Sequence, residues 1–305
     1  MENIVEIAKK VFITCMGVKA GEKILILTDN EKIELASYFE QASRSLGMDT
    51  TLVEINNQKG GEPPENACKA LKGADVCLMI TTNSYTHTKA RVEANNRGCR
   101  IASLPGISKE IVKKTFGADY EEIERISTNL SDMMSAAKRI RLITQLGTDI
   151  SFNIEGRKGI ADTGKLDEFG AFGNLPAGEA MIAPVENVST GTVVIDGVIC
   201  TVGIPKQPII LTIKDGKIVN IKNDEGKLHS FMSNFAENID KVAEFGIGTN
   251  KLAEIINNPL VDEKVFSTVH LGFGNNLFMG GNQNCNIHFD MIIKEPTVYL
   301  DDICI

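Results

Sequence analysis

The sequence has no apolar run long enough to span a bilayer, and its N-terminus lacks the basic start and the apolar stretch of a signal peptide. None of the seven cysteines forms a CxxC pair, and their odd number favours reduced thiols over a disulfide framework or a zinc finger. We therefore expect a cytoplasmic protein that does not associate with membranes.

The sequence also has no excess of positive charge. Its formal net charge is −8 and its pI is near 5.2, whereas binding to a phosphate backbone depends on clustered lysine and arginine. This balance argues against nucleic acid as a partner and favours a peptide or small-molecule substrate. We also expect a homodimer.

The first part of the chain, up to about residue 118, alternates β-rich runs with helical segments. The predicted strands are 23–28, 50–55, 75–80 and 100–104, and the predicted helices are 30–46, 64–72 and 86–97. Such alternation predicts a doubly wound parallel sheet in an α/β domain. The turn after the first strand, residues 29–32, is acidic and lacks glycine, so we expect no nucleotide to bind there.

A long helix over about 119–145 is predicted to connect this domain, residues 1–145, to a second domain, residues 146–305. The second part is richer in glycine and in β-favouring residues, with predicted strands at 149–154, 191–195, 208–213 and 217–221. An Asp215-Gly216 turn between the last two favours a hairpin. We expect an α+β domain rich in antiparallel strands.

Two of the four histidines, His270 and His288, lie near the C-terminus with several glycines between them. His288 and Asp290 form an HxD pair in a strand-like segment, where alternate side chains share a face. An imidazole and a carboxylate on one face can chelate a metal. There are two alternatives to metal binding. Asp290 merely orients His288, or both residues lie at the surface.

Two carboxylates have unusual surroundings. Glu179 directly follows a Pro/Gly turn, and Glu244 lies inside an apolar, strand-like run. A buried carboxylate is unfavourable unless a cation or a metal accompanies it. For Glu244, a salt bridge or an outward-facing position remains an alternative to metal ligation.

Ordered motifs in the second part of the chain resemble the M29 family of metallo-aminopeptidases. These are NLPAGE at 174–179, EFGIGTN at 244–250, TVHLGFGNN at 268–276 and IHFD at 287–290; Thr86-His87-Thr88 and Leu104-Pro105-Gly106 add a weaker likeness. We interpret His87 as a residue at a helix start, with a place lining a cleft between domains as the alternative.

The resemblance implies that Glu179, Glu244, His270, His288 and Asp290 hold two divalent metal ions, Zn, Co or Mn. Two such cations lower the pKa of a shared water and polarise a peptide carbonyl. The implied activity is release of N-terminal residues from peptides. We assign a catalytic role to Glu179 as well, and to Glu186 as a general base.

One position departs from the family. Its aminopeptidases carry a tyrosine seven residues after the histidine that matches His270, and this chain has Leu277 there. Two alternatives to an aminopeptidase remain open. One is an Fe²⁺-dependent ring-cleaving enzyme of the 2,5-dihydroxypyridine 5,6-dioxygenase type, which resembles M29 proteins, and the other is a non-catalytic metal- or peptide-binding protein.

Overall fold

The computed structural model describes residues 3–56, 61–86, 88–235 and 237–305, so our interpretation of His87 falls outside the described residues. The chain divides into two compact units: Met1–Glu121 with Gly164–Ala177, and Glu122–Thr163 with Gly178–Ile305. The domain boundary at residue 145 stays a prediction. The bounds of the compact units lie elsewhere, because the chain enters the second unit at Glu122 and returns to the first for residues 164–177. Among the described residues, no helix combines the length and apolar character that crossing a membrane requires.

The first unit contains a five-stranded parallel sheet. Its strands are β1 (Lys23–Asp29), β2 (Asp49–Ile55), β3 (Val76–Ile80), β4 (Arg100–Ser103) and β8 (Phe172–Asn174), in the spatial order β2-β1-β3-β4-β8. Its helices are α1 (Ile4–Lys10), which continues into a π-helical turn (Val11–Cys15), α2 (Ile33–Ser45), α3 (Glu65–Lys72), α4 (Lys89–Asn96) and α5 (Lys109–Thr115). Every residue of β1 except Lys23 is buried, as is typical of a parallel strand that helices cover on both faces. The predicted α/β class is confirmed, and the first four strands match their predicted ends to within one residue.

The predicted long helix is wrong in its second part. Helix α6 (Tyr120–Ala136) ends well before residue 145, and strand β5 (Arg139–Ile143) follows it. Ile140 and Leu142 are buried whereas Arg139 and Arg141 are exposed. This alternation has the two-residue period of a strand, which overrides the apolar content that suggested a continued helix.

The second unit contains two antiparallel sheets. The remaining strands are β6 (Asp149–Asn153), β7 (Ile160–Asp162), β9 (Glu179–Ile182), β10 (Thr190–Ile195), β11 (Ile209–Lys214), β12 (Lys217–Lys222), β13 (Val242–Gly248), β14 (Thr268–Gly274), β15 (His288–Lys294), β16 (Thr297–Leu300) and β17 (Ile303–Cys304). Their orders are β12-β11-β10-β6-β5-β16-β17 and β15-β14-β13-β9-β7. Two short helices, α7 (Lys227–Met232) and α8 (Pro259–Asp262), and a 3₁₀ turn (Leu277–Met279) lie between strands. The predicted hairpin at Asp215-Gly216 is confirmed, since both residues have positive φ angles, 49° and 72°.

One apolar core fills the second unit and joins the two sheets. Phe152 of β6 contacts Phe245 of β13 with ring centroids 5.7 Å apart, and Leu271 and Phe289 belong to the same buried cluster. Because successive residues of a strand point to opposite faces, the chain neighbours of Phe245, Leu271 and Phe289 project from the other face of the five-stranded antiparallel sheet.

Candidate metal centre

That other face carries the predicted site residues, and the structure brings all of the proposed ligands together. His270 lies between the core residues Val269 and Leu271 in β14, and His288 and Asp290 flank the core residue Phe289 in β15. The full set is Glu179 at the start of β9, Glu244 in β13, His270 in β14, and His288 and Asp290 in β15.

Each proposed ligand is paired in strand register with a glycine on the neighbouring strand. The pairs are Glu179 with Gly248, Glu244 with Gly272, His270 with Gly246, His288 with Gly274, and Asp290 with Gly272. A Cβ atom on Gly246 would lie 2.0 Å from His270 Nε2, and one on Gly272 would lie 2.7 Å from His288 Nε2. The glycines therefore provide the space that the imidazoles occupy.

Glu244 is the central carboxylate of the cluster. Its Oε1 lies 3.2 Å from His270 Nε2, and its Oε2 lies 3.0 Å from His288 Nε2. Asp290 Oδ1 lies 3.2 Å from the same nitrogen of His288. Ligand atoms of Glu244, His288 and Asp290 all lie within 4.8 Å of one another, and so do those of Glu179, Glu244 and His270.

These two sets share Glu244 but differ in exposure. We call Glu244, His288 and Asp290 the outer group and Glu179, Glu244 and His270 the inner group. The inner group is buried throughout, whereas His288 and Asp290 are only partly buried. Solvent therefore reaches His288 and Asp290 but not the three residues of the inner group.

The orientation of His288 suits it to bind a metal. Its Nδ1 lies 2.7 Å from the carbonyl oxygen of Asn275, to which an Nδ1–H donates. With Nδ1 fixed as a donor, the neutral imidazole would have its Nε2 lone pair free to bind a metal beside the carboxylates of Glu244 and Asp290. A hydrogen bond of this kind to the second ring nitrogen is typical of metal-binding histidines.

A buried lysine accompanies the inner group. Lys264 Nζ contacts Glu179 Oε1 and lies 2.8 Å from a carboxylate oxygen of Glu263 and 3.1 Å from one of Asp162. On the other side of Glu179, His270 Nε2 lies 3.2 Å from Oε2. Among the described residues, His270 Nδ1 has no hydrogen-bond partner, although the atom is buried.

The charges of the cluster shift its pKa values strongly. Burial by itself lowers the pKa of His270, but the hydrogen bond to Glu244 and the charge of Glu179 outweigh it and raise that pKa to about 9. Burial likewise lowers the pKa of His288, and the charges of Asp290 and Glu244 raise it well above its usual value. Without a metal, protons on the imidazoles therefore balance the carboxylates.

Glu244 and Lys264 are charged partners in the same network. Burial by itself raises the pKa of Glu244, but its hydrogen bonds to the two histidines lower it well below the usual range. Burial by itself lowers the pKa of Lys264, and the charges of Glu179, Glu263 and Asp162 raise it well above the usual value. Burial raises the pKa of Glu179, and Lys264 opposes that rise.

Glu186 lies outside both ligand groups. One of its oxygens pairs with Arg157, and the other accepts from Asn276 Nδ2 at 3.0 Å and from the Asn282 N–H at 2.8 Å. Burial by itself raises the pKa of Glu186, but the Asn282 hydrogen bond and the other partners lower it below the usual value. A fully partnered carboxylate of this kind suits an anchor for the loop between β14 and β15. The general-base role of Glu186 stays a prediction.

Three further residues of the site gave no clear signal in the sequence. Lys264 follows two acidic residues, a run that is typical of solvated surface, and only the fold buries it beside Glu179. Asp162 ends a short strand that has no apolar pattern. Asn275 acts through its backbone carbonyl, which side-chain chemistry does not indicate.

The cluster fits a divalent metal. Two imidazoles and three carboxylates are ligand types that Fe, Zn, Co and Mn accept. Ligand atoms of Glu244, His288 and Asp290 lie within 4.8 Å of one another, and Gly272 leaves space beside His288 Nε2 that a Cβ atom would fill. The predicted metal-binding character of the site is supported to this extent, whereas two Zn, Co or Mn ions are not confirmed.

Comparison with known proteins gives a family and a fold. The model of the NicX family, described as 2,5-dihydroxypyridine 5,6-dioxygenase, matches residues 3–305. A 2,5-dihydroxypyridine dioxygenase structure from Pseudomonas putida is 18% identical with a TM-score of 0.83, covering 99% of this chain and 94% of that one. AmpT from Thermus thermophilus is 15% identical with a TM-score of 0.71, covering 99% of this chain and 96% of that one. No curated protein matches the sequence.

The predicted aminopeptidase activity is wrong, and so is the assignment as a hydrolase or protease, because the family that matches residues 3–305 is one of dioxygenases. The motifs misled for a physical reason. They consist of strand residues and glycines that hold the carboxylates and imidazoles in place. A fold of this kind is shared by the dioxygenase and by AmpT. A shared scaffold does not specify the reaction. The likeness to the M29 group therefore holds for the fold and not for the specific assignment.

Proposed function

The chain belongs to the 2,5-dihydroxypyridine 5,6-dioxygenase family, and we propose that it is an Fe²⁺-dependent enzyme that opens a dihydroxylated pyridine ring. The reaction adds both atoms of O₂ to the substrate and breaks the bond between ring carbons 5 and 6.

The observation that carries the proposal is the difference in exposure between the two groups. A ring-cleaving enzyme needs one metal with open positions for substrate and O₂. The outer group offers an imidazole and two carboxylates whose ligand atoms lie within 4.8 Å of one another, and part of that group faces solvent. We therefore assign the iron to Glu244, His288 and Asp290.

The charges around the inner group argue for one iron rather than two, because a buried lysine already lies beside that group. Lys264 contacts Glu179 and is only 2% exposed, so it places a positive charge beside the carboxylate that a second metal would use. His270 Nε2 lies 3.2 Å from Glu244 Oε1, the carboxylate oxygen that faces away from His288. There it fixes the position of Glu244 and supplies a second imidazole next to the outer group.

Bound Fe²⁺ would supply the one-electron chemistry that allows O₂ to react with an electron-rich ring. The residues of the chain supply position and charge. The Asn275 carbonyl fixes the tautomer and rotation of His288. Glu244 is held from two sides by imidazoles, and Asp290 presents a partly exposed carboxylate beside His288 Nε2.

The test is a ring-opening assay of protein reconstituted with Fe²⁺ under anaerobic conditions and then exposed to O₂. Loss of the ring absorbance of 2,5-dihydroxypyridine is expected for the wild type and for Glu155→Gln, a matched control at a surface carboxylate paired with Lys138. His288→Ala should show neither bound iron nor ring opening. Iron-loaded wild type that leaves the ring intact contradicts the proposal and favours a non-catalytic metal-binding protein.

A further inference from the structure

Two large apolar side chains are exposed beside the outer group. Leu277 and Phe278 lie in the 3₁₀ turn after β14 and are 50% and 58% exposed, whereas Asn276 and Met279 on either side of them are buried. Exposing a phenylalanine is unfavourable, because its apolar ring is more stable when it is removed from water. This turn therefore presents an apolar surface to solvent where its neighbours are buried.

The turn is held in place by several polar contacts, so the exposure does not come from a loosely held loop. Asn276 Oδ1 accepts from the Gln283 N–H at 2.7 Å, and Asn276 Nδ2 donates to Glu186. Arg157 pairs with Glu186 and also donates to the Gly280 carbonyl at 2.8 Å. The ring of Phe278 therefore projects from a fixed base.

Phe278 also contacts a proposed metal ligand directly. Its ring centroid lies 5.3 Å from that of His288, with an interplanar angle of 80°, in an edge-to-face arrangement. The residue that fixes the rotation of His288, Asn275, lies in the same loop. A planar molecule bound at a metal on His288 Nε2 would come within reach of the Phe278 ring.

From these contacts, and resting on the proposed function, we propose that Phe278 is a specificity-determining residue whose ring stacks against the pyridine ring of the substrate. An aromatic side chain provides a flat surface for a planar heterocycle, in addition to the ligand bonds at the metal. Phe278 takes no part in proton transfer or metal binding. Its loss weakens substrate binding and leaves the metal centre intact.

The experiment compares Phe278→Ala, Phe278→Tyr and Phe278→Leu in the iron-loaded protein. Phe278→Ala should raise KM for 2,5-dihydroxypyridine and the anaerobic Kd by about tenfold, the size of effect that loss of one stacking contact with a heterocycle produces, while kcat changes less than about threefold. Phe278→Tyr should keep wild-type binding because it keeps the ring. Phe278→Leu, which keeps apolar bulk without an aromatic face, should lie in between.

Leu277→Ala is the matched control, because it removes an equally exposed apolar side chain from the same turn. It should change KM less than about threefold. Iron content, melting temperature and oligomeric mass should be the same for all variants, which separates a specificity role from folding, metal binding or contact with a second copy of the chain.

The possible results are distinguishable. An active wild type whose KM is unchanged in Phe278→Ala, an equal effect of Leu277→Ala, or a change of oligomeric mass in Phe278→Ala overturns the assignment of Phe278 alone. A wild type that holds iron but neither binds nor opens the ring overturns the proposed function and this inference together.

Discussion

The inner and outer groups use the same central residue, Glu244, but different balancing charges. In the inner group, Lys264 contacts Glu179 and is buried with it. In the outer group, His288 and Asp290 are partly exposed, and the balancing charge is a proton on His288 that a metal ion from solution can replace. The comparison teaches that a cluster of metal-binding residue types need not be a metal site throughout. Part of it can be balanced internally, and only the remainder is available for chemistry.

The largest effect is expected from Glu244, because both groups share it. Glu244→Gln keeps the shape of the side chain but removes the charge, and we expect iron affinity and turnover to fall more than about 100-fold, since even residues that only support a ligand contribute 10- to 100-fold. Iron content after desalting and the ring-opening rate measure this. An active, iron-bound Glu244→Gln variant would show that neither group holds the metal.

Substitutions of the two histidines test which of the two groups holds the metal. His288→Ala removes a proposed ligand of the outer group and should reduce iron affinity more than about 100-fold, whereas His270→Ala removes a residue proposed only to support Glu244 and should reduce it by about 10- to 100-fold. Ferrous-ion titrations of the two variants measure the ranking. The reverse order would place the metal in the inner group.

Lys264→Met tests the internal balance of the inner group. Removing one partner of a buried ionic network leaves uncompensated carboxylates, and we expect the free energy of unfolding of the metal-free protein to fall by about 3–5 kcal/mol. Lys206→Met is the matched control because Lys206 pairs with Glu225 at the exposed surface, 3.1 Å away, and exposed pairs contribute about 0–1 kcal/mol. Urea denaturation measures both; equal losses would mean that Lys264 does not balance the inner group.

The pH dependence of iron binding follows from the raised histidine pKa values. In the metal-free protein the pKa of His270 is about 9 and that of His288 is also raised, so both imidazoles hold a proton at pH 7. Iron binding must displace protons from the outer group, and apparent affinity should therefore rise from pH 6.5 to pH 9. Calorimetry in buffers of different ionisation enthalpy would detect the released protons. Binding without proton release contradicts this charge assignment.

The smallest effect is expected from Glu186→Gln. Because Glu186 is held by Arg157 and by two hydrogen bonds from the neighbouring loop, the neutral variant should lower turnover less than about tenfold. General acid–base catalysis typically contributes 10²–10⁴-fold, so a steady-state assay separates the two roles. A loss of that size, with iron content unchanged, would restore the predicted general base.

Much of the fold could be predicted from the sequence because its strands carry strong local patterns. The β1 and β3 runs are short, apolar and bounded by turn residues, and both are strands in the structure. Strand β5 was missed because its arginines alternate with apolar residues over only Arg139–Ile143, directly after a helix. An alternation of only five residues is too short to distinguish a strand from a continuation of the preceding helix.

The candidate ligands were predicted together, although they lie far apart in the chain, because each has an unusual local setting or belongs to an ordered motif. The balance between the two groups could not be predicted. It depends on Lys264, which comes to Glu179 only through the pairing of β9 with β13 and the turn before β14. The metal number, the homodimer and the substrate class stay predictions for the same reason, since none is encoded in a local pattern.

The most direct test of the account is the fate of ¹⁸O₂ in a reaction of the wild-type protein reconstituted with one Fe²⁺ per chain and supplied with 2,5-dihydroxypyridine. We predict that one O₂ is consumed for each ring opened and that mass spectrometry finds both ¹⁸O atoms in the ring-opened product. Protein that demonstrably holds iron in the outer group, yet consumes no O₂ and returns the ring intact, would contradict the account.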